Sequence, residues 1–440
     1  MTTWREISER VGVGVLVLGA IVLALAVAYL VPTQPMLALG LAAVVLVGVA
    51  ALVQPVTLPL LAMPLIVVVA RVGGEGFDLT VSDAMLALAF WPAVLMSPRP
   101  FSSDLRRLLW LNALYQATTL FTVLANPFTA NTVEWFHAWL LVSGALMVGW
   151  AVGAGGHARL GLSLFLAACV ALAIPTIVQG VLQVAAGDFR AVYPRWPWQM
   201  HKNFIGTLLG FAAVLVYAQP SWLRWSTRNS MFVFWIFAAA IALSQSRQAL
   251  IALAVAILVV SLRRHSERRT SILVMLSLAP AAFGVLTLVR DQFRSGNEHN
   301  SVFQRLEWYR ESSQVFLERP LLGWGLRFWR TADAPIKYEP PHVGLEVATT
   351  TGVVGLIGFL VMITGILVVL WRLDPAFGTV AFAAVLSRVV QGQFDLFWIS
   401  VSVSVPFLIA GVCLGAAHVD ARASKAATVG PQERRLVGAG

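Results

Sequence analysis

Long apolar runs broken by short polar knots recur along the whole chain. They lie near 12–31, 36–53, 56–70, 80–97, 108–124, 133–153, 160–186, 204–218, 231–244, 247–262, 271–290, 343–371, 377–391 and 396–417. Each approaches the roughly twenty apolar residues that a helix needs to cross a bilayer. None shows the period-two alternation of a membrane β-strand. The predicted fold is therefore an all-α polytopic membrane protein with about 12–14 transmembrane helices. One polar interruption is far longer than the rest. Residues 291–342 form a predicted large external loop containing short helices, rich in cations that include Arg294, Arg305, Arg310, Arg319, Arg327, Arg330 and Lys337.

Composition agrees with that pattern, because 58% of the 440 residues are hydrophobic and only 12% are charged. A net charge of +10 would suit nucleic acid, but the placement of the cations argues against it. Arg5 and Arg10, Arg99, Arg106 and Arg107, Arg224 and Arg228, the run from Arg263 to Arg269, Arg372 and the arginines after Arg422 fall on alternate loops. The positive-inside rule then puts both termini and all those loops in the cytoplasm. The loops at 71–79, 125–132, 187–203, 244–247 and 291–342 face outward. The expected organisation is an integral helical domain over 1–417, the external loop 291–342 within it, and a disordered cytoplasmic tail over 418–440. The first apolar run is long enough for a retained helix rather than a cleaved signal peptide. Cys169 and Cys413 sit inside apolar runs and imply neither a disulfide framework nor a metal site.

Chemistry is expected where polar residues meet the outer boundary. Ser244-Gln-Ser-Arg247 interrupts two short runs and puts an arginine at the start of a helix. That arginine either snorkels to the interface or binds an anion, since a guanidinium matches a phosphate in bidentate fashion. An outward-facing transferase needs a donor that has already crossed the membrane, such as a polyprenyl-linked sugar diphosphate. Positioned cations would stabilise its departing diphosphate. Arg247 and Arg305 are the first candidates, followed by Arg310, Arg195 and Lys202. A histidine suits the removal of a proton from an acceptor hydroxyl. His342 ends the polar island, follows two prolines and opens the next apolar run, whereas His137 reads as a satisfied core histidine. His-Glu-x-x-His, cysteine clusters and outward Asp-x-Asp pairs are absent from the sequence, so no metal or other cofactor is expected. No Gly-x-Ser-x-Gly elbow is present either.

Taken in order, Ser244-Gln-Ser-Arg247, Arg305 with Trp308, Glu318-Arg-Pro-Leu-Leu-Gly-Trp-Gly325, His342 with Leu345 and Glu346, and Gly352-Val-Val-Gly355 resemble the O-antigen ligase and polymerase superfamily of bacterial membrane proteins. The likeness is strongest over about 200–360. Earlier helices match in general character, including Ser82-Asp83 and Lys202-Asn203. The resemblance implies a metal-independent glycosyltransferase at the outer face of the cytoplasmic (inner) membrane. It would move a glycan from a polyprenyl-diphosphate donor to a glycan, lipid or protein acceptor, by ligation or by polymerisation. Arg247 and Arg305 would contact the diphosphate and His342 would activate the acceptor, with Ser246, Asn203 and Glu346 in support. Two departures stand out: Val343 follows the histidine where the family usually has Asn or another small polar residue, and the stretch to Gly352 is one residue short. The partners expected are the lipid-linked donor, its acceptor and membrane lipids, with no nucleic acid. A transporter or flippase of lipid-linked oligosaccharides is the alternative.

Overall fold

The structure is a computed structural model and describes residues 48–49, 51, 53–71, 79–263, 301–331, 334 and 339–437. Two compact units divide the chain, Met1–Leu58 and Pro59–Gly440. The candidate site lies wholly in the second. The apolar runs at 12–31 and 271–290, most of 36–53, and the cations Arg294 and Lys337 lie outside the described residues.

Among the described residues the named elements are helices, in chain order α1 (Thr57–Leu65), α2 (Val81–Met96), α3 (Ser103–Ala125), α4 (Thr129–Ala154), α5 (Ala158–Ala185), α6 (Lys202–Ala218), α7 (Thr227–Ser244), α8 (Arg247–Arg263), α9 (Ser301–Glu318), α10 (Val343–Arg372), α11 (Pro375–Gln391) and α12 (Ser400–Val437). Six of them, α3, α4, α5, α7, α10 and α12, are long and apolar enough to cross a membrane. The all-α polytopic expectation is borne out, and the helix limits fall within a few residues of the apolar runs. The helix α12 continues to Val437, into the segment expected to be a disordered tail.

Sequence-local signals set the helix starts. Thr80 and Asp83 form a capping box on α2, Ser102 caps α3, and Asp374 caps α11 with Pro375 in its first turn. The α4 and α12 pair forms the most buried part of the bundle. Gly149 and Gly153 of α4 face Gly411 and Gly415 of α12 so closely that a Cβ on any of them would meet facing backbone within 2.1–2.5 Å. Small residues at this spacing let two membrane helices pack backbone to backbone. A π-helical turn at Leu140–Gly144 in α4 carries Ser143, which accepts a buried hydrogen bond from Asn112 Nδ2 of α3 at 2.7 Å.

One helix is broken on purpose. Within α10, Gly352 has φ +66° and ψ −169°, which interrupts the helical hydrogen-bond ladder. The Thr349 and Thr350 carbonyls, which would otherwise accept from Val353 and Val354, accept from the Trp324 and Gly325 amides at 3.1 and 2.9 Å. The freed amides of Val353 and Val354 donate to the Pro320 and Leu321 carbonyls at 2.8 and 3.3 Å. The Pro320–Gly325 segment thus supplies partners for these two carbonyls and two amides, as backbone away from water requires. The approach is tight: a Cβ on Gly352 would lie 2.2 Å from the Leu321 carbonyl oxygen, and one on Gly323 (φ +67°) 2.5 Å from Thr350. Gly323-Trp-Gly325, part of the motif that carries the family resemblance, splices a helix kink and leaves His342 to Thr351 as a short arm held by this loop.

Candidate active site

The starts of α6, α8 and α10, the α11–α12 connection and the helix α9 bring the polar residues together. The helix α6 begins at Lys202, with the His201 ring accepting from the Asn203 amide at 3.2 Å. Gly206, one turn further on, lets α8 approach: a Cβ there would lie 2.4 Å from Ser246 Cβ. Ser246 is buried and precedes Arg247, the first residue of α8, so the predicted supporting serine sits at that helix crossing. Gln245 takes the left-handed conformation that turns α7 into α8, and its side chain ties the turn to the Phe189 carbonyl at 2.8 Å.

Lys202, Arg247 and Arg305 come close enough for their charges to repel one another. The charges of Arg247 and Arg305 both act on Lys202, and Arg305 acts on Arg247. Three separate segments therefore accumulate like charge in one place. Arg305 reaches His342 through its own helix. Tyr309, one turn further along α9, packs edge-on against the His342 ring at 5.7 Å, and its hydroxyl donates to the Pro341 carbonyl at 3.4 Å. Burial pushes the Tyr309 phenol above its usual value, against the pull of Arg305.

His342 is the N-cap of α10, and its Nδ1 accepts from the Leu345 amide at 3.4 Å. A neutral ring capping in this way carries its proton on Nε2. Burial holds the imidazole below its ordinary pKa, which keeps it neutral at physiological pH. Four residues on, Glu346 is buried and accepts from the Phe397 and Trp398 amides at 2.8 and 3.4 Å. That bond, with the Val343 amide donating to the Gly392 carbonyl at 2.7 Å, fastens the arm to the α11–α12 connection. Arg388 is buried beneath and donates to the Leu396 and Phe397 carbonyls.

Two predicted cations stand apart. Arg195 is exposed and lines a separate groove with Arg190 and Tyr193. Arg310 is exposed on α9, about 140° around the helix from Arg305. Sequence reading missed Asp395, whose charge acts on both His201 and Arg388 and whose carboxylate accepts from Gln248 Nε2 at 2.5 Å. The signal was present, because Gly392-Gln-Phe-Asp395 is a polar break between two apolar runs.

It also passed over a second network. His137 Nε2 meets Asp83 at 3.1 Å, its Nδ1 meets Glu134 at 3.4 Å, and Arg327 Nε meets Glu134 at 2.7 Å. Ser400 Oγ adds a bond to Asp83 at 3.0 Å. His137 is indeed satisfied and buried, but among charges rather than apolar neighbours. Glu134 and His137, three apart on one face of α4, were the available clue. Among the described residues no group of three His, Cys, Asp or Glu is placed to hold a metal ion.

The family model of the O-antigen ligases matches residues 232–360, the span from α7 through the kink of α10. It bears out the resemblance to the O-antigen ligase and polymerase superfamily over those residues. No curated protein matches the chain.

Proposed function

We propose that the protein is a metal-independent glycosyltransferase at the outer face of the cytoplasmic membrane, using a polyprenyl-diphosphate-linked glycan as donor. Both termini and the 418–440 segment then face the cytoplasm, and the 291–342 segment faces outward. The carrying observation is the convergence of Lys202, Arg247 and Arg305 beside His342. Positive charge gathered from three segments attracts a polyanion, and arginine forks suit diphosphate oxygens. Arg195 and Arg310 serve as outlying contacts for the phosphates or the glycan.

In the reaction the acceptor hydroxyl oxygen bonds the anomeric carbon as the anomeric C–O bond to diphosphate breaks. The bonding electron pair leaves with polyprenyl diphosphate, where the cations stabilise it. The acceptor proton passes to His342 Nε2. For that the ring must carry its own proton on Nδ1, which exchanges a long 3.4 Å capping bond for the base form. Ser246, Asn203 and Glu346 hold the helix starts that aim these groups. The same chemistry serves ligation onto a lipid or protein and polymerisation of repeat units.

The test is transfer by purified protein from a polyprenyl-diphosphate glycan to a panel of acceptors, with and without EDTA. Turnover unaffected by EDTA and lost in Arg247→Ala supports the reading. Turnover that needs added divalent cation, or full activity in Arg247→Ala, contradicts it.

A further inference from the structure

A cavity of about 180 Å³ is lined by residues that include Tyr115, Gln116, Glu134, His137, Arg327 and Trp398. A single water needs only ~10–15 Å³ of such space, so the cavity has room for a group far larger than a water, on the scale of one sugar ring. None of Lys202, Arg247 and Arg305 lines it. The charged groups that do are of both signs, Arg71, Arg327 and Arg330 with Glu134, Glu339 and Glu346, and among them Glu134 pairs with Arg327 at 2.7 Å and Arg330 with Glu339 at 3.1 Å. Such a lining mixes both signs of charge with many fixed donors and acceptors, which suits a neutral, hydroxyl-rich group better than a polyanion.

Two features point to an occupant. Gln116 is 1% exposed, lines the cavity, and its amide nitrogen finds no hydrogen-bond partner among the described residues. A buried donor left unmet is costly, so a ligand acceptor is expected there. Tyr115 and Trp398 stack with planes 3° apart at 5.7 Å, giving the wall a rigid aromatic element against which the C–H face of a sugar can pack. Glu346 also lines the cavity, one helical turn beyond His342. The cavity therefore reaches the first turn of the helix that the proposed base caps.

We infer that this cavity is a subsite for one neutral, hydroxyl-rich sugar residue, with Gln116 as a specificity-determining contact. That the sugar belongs to a reacting glycan rests on the transferase reading; that the cavity binds a sugar does not. The source is either the acceptor's sugar or the donor's first sugar.

The experiment is saturation-transfer NMR on the full-length protein in detergent with free glucose, galactose, mannose, rhamnose and N-acetylglucosamine. Saturable binding of at least one sugar is expected, weakened about three- to tenfold in Gln116→Met, which keeps the bulk and removes the amide. Ala138→Leu, which fills the cavity from another wall, should abolish it, and Arg247→Ala should leave it unchanged. No saturable binding up to ~50 mM, or equal binding in wild type, Gln116→Met and Ala138→Leu, overturns the subsite. In the transfer assay, a raised KM for acceptor in Gln116→Met assigns the cavity to the acceptor, and a raised KM for donor assigns it to the donor. Sugar binding without transfer under any condition keeps the subsite and removes the transferase.

Discussion

Two regions meet on the first turns of α10 and handle charge in opposite ways. On one side Lys202, Arg247 and Arg305 crowd like charges together. On the other, Asp83, Glu134, His137 and Arg327 interlock as opposite charges at 2.7–3.4 Å. The first concentrates positive charge from three segments, which suits a polyanionic ligand. The second pairs opposite charges, and its removal would cost stability besides any contact it makes to a sugar in the adjoining cavity. His342 caps the helix at the junction and Glu346 anchors it one turn in, so a single short arm serves both regions.

Variants should separate the two sides cleanly, and the largest effect belongs to the cluster. Each of Arg247→Ala and Arg305→Ala should lower transfer about 10- to 100-fold through loss of charged hydrogen bonds, and the pair together by roughly 10³-fold. Thermal unfolding of the purified protein should move little. A large loss of thermal stability in these variants would break the comparison.

His342 comes next. Loss of a general base lowers turnover about 10²-fold or more. The informative change is His342→Asn, because asparagine also caps helices and keeps α10 in place. Donor binding should persist while turnover falls; lost donor binding would assign His342 to the phosphate site instead. Burial of the ring fixes the sign of the pH dependence. The neutral base gains population as pH rises, so wild-type activity should climb through a midpoint below the usual histidine value of about 6.5 and level off above it. That acid limb should vanish in the residual activity of His342→Asn.

On the compensated side, Arg327→Ala leaves Glu134 partly stripped of its partner and should cost about 3 kcal/mol of stability. Thermal unfolding in detergent measures this. Arg327→Ala together with Glu134→Gln should recover part of the loss, because the uncompensated charge is gone. An Arg327→Ala protein as stable as wild type would show that the network is not structural.

The difference between the regions also explains what could be read from sequence. Helix limits follow apolar runs, and N-caps such as Thr80, Ser102 and Asp374 are local signals, so the bundle was legible almost element by element. Arg247 and His342 were legible because each is a polar residue at the edge of an apolar run, where charge is expensive, and Arg305 because it lies in the one long cationic interruption. The interlocked network was not. Its bonds join residues up to 317 positions apart, Ser400 to Asp83, and no periodicity encodes such a pairing. Asp395 escaped for the same reason, being defined by Gln248 across 147 residues. The Pro320–Gly325 motif was visible as a turn, but its partner, the break at Gly352, is apparent only once the two strands of backbone are seen exchanging hydrogen bonds.

The most direct test of the central claim counts released polyprenyl diphosphate against glycan product, using purified protein, a polyprenyl-diphosphate glycan and a panel of acceptors. The account predicts one diphosphate carrier released for each glycosidic bond formed, with both signals lost in Arg247→Ala. Donor binding without release across the whole panel, accompanied by movement of the donor between leaflets of reconstituted vesicles, would contradict it and make the protein a transporter.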